Sequence, residues 1–377
     1  MKRLALLLGS LLVVSAAASA KEVVPAPVVV EEAPVQVVEK EVIVYRDKEE
    51  GFRPNGFVRG EYRYYDRTEG QQRIGYPNWN KNNRYSRLEL QTNINFTENQ
   101  TLDIRSRSYE SLANKDRFSG KSKEDQVRVQ YYYNHGLLGD TKVNGTSFVE
   151  YKNEGSSQSI QYRYDFQFAD YMFDNDFIKT TNFVVGPRAI YAWNDSNSSN
   201  YSYTLGLYMD WINQLPFGFS TEVEIDGFDY TKFGKTAREE SAYNGGNGYV
   251  DKYGVSVKAV LMQDTTLYSA DKMTVNWHSE GGYDTYNYSN RQLNGHDYGV
   301  KGSDAEGNSI FGYRESEYAS YEAYFSSDVT LNYQATEFVN LFAGAGAEYR
   351  NWTITAEEDA SNWRWQPYAF AGFNVAF

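Results

Sequence analysis

The stretch that decides the fold is Arg84–Phe96, which reads RYSRLELQTNINF. From Leu88 to Phe96 every second residue is apolar or a threonine, and the residues between them are charged or carry amides. A period of two is typical of a β-strand that has one apolar face and one wet face. The short turn Thr97–Gln100 then leads into a second alternating stretch of the same kind.

The same alternation recurs along the chain and predicts about fourteen strands. Most segments hold about ten residues or slightly more, which is the length of a tilted membrane-spanning strand. Their approximate ranges are 57–66, 84–96, 101–112, 126–136, 142–152, 158–168, 181–193, 200–212, 218–230, 249–261, 272–285, 314–334, 339–350 and 362–377. The gaps tend to alternate between long and short, as in barrels with long outer loops and short periplasmic turns. A soluble β-sandwich or propeller, the alternative, predicts no such asymmetry.

We therefore expect an all-β protein, a transmembrane antiparallel up-and-down β-barrel of about 14 strands over residues 56–377. The mean hydropathy of −0.66 excludes a polytopic helical membrane protein, and an aromatic content of 16% disfavours a disordered chain. The absence of Cys excludes disulfides and thiolate metal sites. A net charge of −13 argues against a nucleic-acid partner.

The N-terminal part of the chain differs from the rest. Residues 1–20 contain two basic residues, an apolar run and a final Ala-Ser-Ala, as a cleaved signal peptide does; an N-terminal core helix is the alternative. Residues 21–55 are rich in Pro, Val and Glu, and we interpret them as a periplasmic spacer that leads into the barrel. A contact with the cell wall or a partner, or a stalk between subunits, is the other interpretation of this segment. The expected location is integral to the outer membrane, with the N-terminal segment in the periplasm.

The wet face of the strands carries charge of opposite sign in two sectors. The predicted pore-lining bases, in strands one to six, are Arg59, Arg63, Arg87, Arg105, Arg107, Arg128 and Arg163. The predicted pore-lining acids, in strands eight to twelve, are Asp210, Glu222, Glu224, Asp226, Glu280 and Glu322. Opposed charges would create a transverse field across a narrow pore. The alternative is ordinary solvation of a wet lumen with cross-strand ion pairs. The long loop 286–313 is predicted to be a lid or constriction, or else a disordered surface loop.

Two sets of residues on the apolar face carry further predictions. A set of small residues predicts a contact between protomers, because small side chains let backbones approach closely; sheet curvature at the adjacent glycines is the alternative. Its members are Gly60, Ala343, Ala345, Ala347, Ala369 and Ala371. The second set is Phe373, Val375 and Phe377, which share one face of the last strand. This pattern resembles the C-terminal signal that the β-barrel assembly machinery reads.

Several stretches suggest a family. They are the leader MKRLALLLGSLLVV with its Pro-rich continuation, VIVYRDKE, RPNG, NFTENQTL, SEGGYDTYN and WRWQPYAFAGFNVAF. The chain resembles the fusobacterial major outer-membrane porin family (FomA type), and the resemblance extends over nearly the whole sequence. It implies a general, voltage-sensitive diffusion channel that is a homotrimer, with adhesion as a further role of some members.

The function predicted from the sequence is that of a porin for ions and small hydrophilic solutes, with outer-membrane lipid around it and no cofactor or metal. An enzyme is the second class. The only histidines are His135, His278 and His296, and no Ser/His/Asp arrangement is discernible around them. The third class is an adhesin or receptor that meets cell-surface partners through its outer loops. Those loops are 67–83, 113–125, 231–248 and 286–313.

Overall fold

The computed structural model describes most of the predicted barrel region. The residues that it describes are 52–69, 84–111, 125–155, 157–194, 197–234, 251–290, 298–303, 309–313, 319–351 and 363–377. The predicted signal peptide and residues 21–51 of the Pro-rich segment lie outside these residues, and β1 begins at the last residue of that segment, Asn55. Within the described ranges, no helix combines the length and the apolar character that a membrane span requires.

Fourteen antiparallel strands close into one barrel, in chain order, with the last strand pairing back onto the first. They are β1 (Asn55–Tyr65), β2 (Tyr85–Thr97), β3 (Gln100–Ser111), β4 (Gln126–Leu137), β5 (Asn144–Glu154), β6 (Ser157–Gln167), β7 (Lys179–Asn194), β8 (Asn197–Gln214), β9 (Phe219–Phe233), β10 (Asp251–Ala270), β11 (Met273–Ser289), β14 (Ala319–Gln334), β15 (Val339–Asn351) and β16 (Trp363–Ala376). The predicted fold class and the predicted strand number are confirmed. In the connections that the structure describes, Ala169–Tyr171 and Pro216–Gly218 form short 3₁₀ helices.

The barrel exposes large apolar side chains on one face of its sheet and buries charged side chains on the other, which is the reverse of a soluble protein. Large apolar side chains on one face remain exposed; Tyr62 is 45% exposed and its cross-strand partner Leu88 is 37% exposed. On the other face the carboxylates of Glu61 and Asp103 are only 4% and 6% exposed. A soluble protein buries its apolar side chains and solvates its acids. An apolar outside with charges inside is the pattern of a barrel that contacts lipid.

Several strands are longer than the alternation predicted. β10 was predicted to end near residue 261, but it continues to Ala270 and pairs with β11 down to the contact between Ala270 and Met273. Register shifts interrupt this pairing between Thr266 and Tyr268. Backbone hydrogen bonds from the neighbouring strand hold these residues in a ladder although their side chains do not alternate. Sequence periodicity cannot detect such an extension.

The bounds and the structure of the predicted loop 286–313 differ from the prediction. β11 continues to Ser289, and a separate two-stranded antiparallel sheet follows, formed by β12 (Tyr298–Ser303) and β13 (Ser309–Tyr313). β14 then begins at Ala319 rather than near residue 314. This loop therefore carries secondary structure of its own, which its mixed polar sequence did not indicate.

Candidate functional site in the barrel interior

The pairing of the strands places the predicted charges on the interior face. On β1, Arg59, Glu61 and Arg63 alternate with outward residues such as Tyr62, and the other predicted arginines occupy equivalent positions on β2 to β6. The predicted acids of β8, β9 and β11 also lie on this face; Glu224, for example, pairs directly with both Asp210 and Lys258. The side chain of Glu322 lies outside the described residues.

Glu61 is the centre of an ion-pair cluster that joins β1 and β2. Its buried carboxylate accepts hydrogen bonds from Arg59 at 3.0 Å, from Arg63 at 2.9 Å and from Arg87 at 3.2 Å. One negative charge thus holds three guanidinium groups. Charge-assisted hydrogen bonds of this kind are short and directional, so the cluster fixes the planes of the arginines. The wall keeps an excess of positive charge at this point.

Aromatic rings support the same arginines from the side of β15 and β16. The Arg59 guanidinium lies 4.8 Å from the centroid of Phe342, and that of Arg63 lies 4.6 Å from Phe370 and 5.0 Å from Tyr368. All three rings are buried and form the one hydrophobic cluster found among the described residues. Cation–π contacts stabilise the charge and restrict its motion. Our sequence analysis missed this interior cluster, although its members alternate with the outward alanines of the same strands.

Two further arginines are tightly held on the neighbouring wall. Arg163 donates to Asp165 at 2.6 Å, and its guanidinium lies 3.7 Å from the centroid of Tyr208 on β8. Arg188, which the sequence analysis did not single out, has a side chain only 4% exposed and is bonded to Asp226 and Asp229. The predicted pore acid Asp226 is therefore neutralised by an arginine on β7.

The charge pairing is uneven on β3 and β4. Arg107 donates to Glu89, and Arg128 donates to Asp103 at 3.3 Å. Within the described residues, Arg105 forms no salt bridge, although it lies directly opposite Arg128 in the β3–β4 register. Like charges directly opposite each other destabilise a sheet. Among the seven predicted pore-lining arginines, Arg105 is thus the one without a salt bridge to a described residue.

An interior cavity of about 690 Å³ lies along six neighbouring strands, from β2 through β1, β16, β15 and β14 to β11. Arg59, Arg63 and Gln91 line it on one side, and His278 and Asp328 line it on the other. Amide side chains from β14, β15 and β16 and the rings of Phe57, Phe342 and Phe370 complete its lining. The cavity is therefore partly polar and partly aromatic, and it is large enough for a small solute. Its charged and amide groups can bind the polar parts of such a solute.

On the outer face, the predicted small-residue set is placed in register across two strands. Ala343 pairs with Ala371, and Ala345 pairs with Ala369, and all four are exposed. Gly60 does not belong to this open surface, because it is buried beneath the ring of Phe373; a Cβ at Gly60 would lie 2.5 Å from that ring. Phe373, from the predicted assembly signal, thus fills the space that Gly60 leaves.

These features define the class of protein: a closed β-barrel of the outer-membrane type, with an apolar exterior and a charged interior. No family model matches the chain, and no characterised protein matches it in sequence.

Solved structures that share the barrel architecture include the following three. The outer membrane channel DcaP of Acinetobacter baumannii is 10% identical, with 86% of this chain and 96% of that chain covered and a TM-score of 0.35. OprD of Pseudomonas aeruginosa is 9% identical, with 86% and 94% covered and a TM-score of 0.32. The NanC porin is 10% identical, with 85% and 98% covered and a TM-score of 0.32. At these values the similarities carry no argument about solutes or partners.

Proposed function

We propose that the protein is an outer-membrane porin that lets ions and small hydrophilic solutes diffuse passively through its interior. The observation that carries this proposal is the inverted burial of a closed barrel, in which arginines and carboxylates line the inside and exposed apolar residues cover the outside. A charged, water-accessible interior lowers the cost of moving ions through the bilayer. The interior cavity of about 690 Å³, which Arg59, Arg63 and several amide side chains line, supports the same function.

The interior residues have distinct roles in this proposal. The seven arginines of β1 to β6 and the acids of β8 to β11 line the conduction path, with Glu322 of β14 as a further acid. Because Glu61 and Asp165 immobilise their arginines, these groups form fixed walls rather than mobile gates. Arg105, Arg107 and Arg128 supply the excess positive charge that acts on passing ions. No interior residue has a catalytic role in this proposal.

The remaining sequence predictions belong to the same proposal. Residues 1–20 direct export, residues 21–55 lie in the periplasm, and the assembly machinery recognises Phe373, Val375 and Phe377. The exposed Ala343, Ala345, Ala369 and Ala371, with Ala347 beside them, form the contact of a homotrimer. The resemblance of the motifs to the FomA-type porins supports this placement. The predicted loop-borne adhesion stays a prediction, because most of the loops 67–83, 113–125 and 231–248 and part of the loop 286–313 lie outside the described residues.

The test is the reversal potential of the purified full-length protein in a planar bilayer under a salt gradient. Neutralising Arg105, Arg107 and Arg128 together is expected to shift selectivity toward cations, because it removes three positive charges from the basic wall while the carboxylates bonded to Arg107 and Arg128 remain. The matched control is Lys179→Gln, which removes an exposed cation at the end of β7. The control should leave the potential unchanged. An unchanged potential in the triple variant would remove the three arginines from the conduction path.

A further inference from the structure

A row of cations crosses five neighbouring strands of the barrel. The cross-strand partners run in one line from Arg59 on β1 through Gln91 on β2, Arg105 on β3 and Arg128 on β4 to Lys152 on β5. Four of these five positions are basic. Their side chains share the interior face, since each is the direct partner of the next. We call these five residues the cation row.

The cation row is inclined, so that its members lie at different heights along the barrel axis. Arg59 lies near the middle of β1, whereas Arg128 and Lys152 lie close to one end of the barrel, near the start of β4 and the end of β5. The geometry of barrels explains this rise, because strands tilt by roughly 35–45° and cross-strand partners lie on a line perpendicular to them. With strands about 4.8 Å apart, the row is about 19 Å long and rises by roughly 12 Å.

The cations of the row are compensated to different degrees. Arg59 is bonded to Glu61 at 3.0 Å, Arg128 to Asp103 at 3.3 Å and Lys152 to Glu154 at 2.6 Å. Arg105, in the middle, has no such partner among the described residues. The pairing of Arg105 with Arg128 destabilises the sheet at this point, because like charges directly opposite each other repel. A bound anion would offset that repulsion.

A second pair of directly opposed arginines, on β6 and β7, provides a comparison in which both arginines are bonded to carboxylates of the protein. Arg163 also lies directly opposite an arginine, Arg188, in the β6–β7 register. Both members of that pair are bonded to carboxylates, Arg163 to Asp165 and Arg188 to two aspartates, and aromatic rings also pack on Arg163. Their positive charge is therefore compensated within the protein. The cation row differs because its central arginine retains its hydrogen-bonding groups.

We propose that the cation row is a track of successive weak binding positions for small oxyanions, carboxylates in the first place. This inference rests on the proposed function as a porin. The planar guanidinium fork matches a carboxylate, and a solute moves from one position to the next along the incline. The acids beside Arg59, Arg128 and Lys152 weaken each position enough for release, as conduction through several sites requires. The lower end of the track opens into the cavity, which Arg59 and Gln91 line.

The experiment compares conductance in potassium acetate with conductance in potassium chloride, using the purified full-length protein in planar bilayers. In the wild type, acetate conductance is expected to saturate with concentration, as for a binding site. Arg105→Gln is expected to raise the half-saturating acetate concentration about tenfold, the effect of losing one charge-assisted interaction. This variant leaves no acid unpaired, so folding is retained. The matched control, Arg350→Gln, removes an interior arginine that is bonded to Glu348 and lies outside the row.

The outcomes separate this inference from the proposed function. Saturation in the wild type that shifts in Arg105→Gln and not in Arg350→Gln supports the track. A linear acetate response in the wild type, or equal half-saturation in the two variants, overturns the track while chloride conductance still supports a porin. If neither salt is conducted, both proposals fail.

Discussion

The cluster around Glu61 provides the sharpest test of how the interior is held together. Glu61→Gln keeps the shape of the side chain but leaves three guanidinium groups without their shared negative charge. Breaking a buried ion pair by removing one partner costs about 3–5 kcal/mol. Because the side chain of Arg59 is 45% exposed, its contribution is screened by water. We therefore expect a loss near the lower end, about 3 kcal/mol.

The measurement is urea unfolding of the refolded protein in lipid vesicles, followed by tryptophan fluorescence. Glu154→Gln is the matched control, since Glu154 is 41% exposed and its bond to Lys152 lies at the rim. Its loss should cost less than about 1 kcal/mol. Added salt should reduce the deficit of Glu61→Gln, because it screens repulsion among the three arginines.

A second variant isolates the cause of that deficit. Arg87 contacts both Glu61 and Glu89, and its side chain is 16% exposed. If repulsion between the arginines causes the loss, then adding Arg87→Gln to Glu61→Gln should restore part of the stability. The reasoning is refuted if Glu61→Gln unfolds at the same urea concentration as the wild type, or if the double variant is no more stable than Glu61→Gln alone.

Two further predictions concern the outer face. Gly60→Leu should destabilise the barrel by about 1–3 kcal/mol, because the new side chain would clash with the ring of Phe373. Combining Gly60→Leu with Phe373→Ala should recover stability in the same urea titration. An additive loss of stability in the combined variant would contradict this explanation. Ala345→Arg should dissociate an oligomer on native gels while the monomer still folds, and Leu267→Arg, at an exposed site on another strand, is its control. An intact oligomer in the first variant would exclude the alanine surface as the contact.

The strand pattern was readable from the sequence because alternation is a local property. The predicted segment 84–96 became β2 (Tyr85–Thr97), and the predicted segment 339–350 became β15 (Val339–Asn351). In β2, apolar and polar residues alternate from Leu88 to Phe96, with Thr92 on the apolar face, whereas in β15 the interior residue Phe342 departs from the alternation. A barrel needs one face toward lipid and one toward water, so the period of two is imposed on nearly every residue of such a strand.

Bulges mark where that local rule fails. On β9, alternation from Asp226 would place Phe228 inside, but Phe228 is 57% exposed and Asp229 faces Arg188 instead. A register shift in the β8–β9 pairing, with Gly227 at a φ of 114°, moves the following residues to the opposite face. An extra residue in one strand reverses the faces after it. Only the pairing with the next strand reveals the shift.

The sequence by itself determined that the chain forms membrane-length strands, how many there are, and which residues of each regular strand are polar. It did not determine which charges meet. The tertiary structure alone placed three arginines on Glu61, left Arg105 facing Arg128, and set the ring of Phe373 over Gly60. The physical reason is that the face of a residue follows from its own strand, whereas its neighbours across the sheet depend on register. Register is fixed by turns, bulges and barrel closure between segments far apart in the chain.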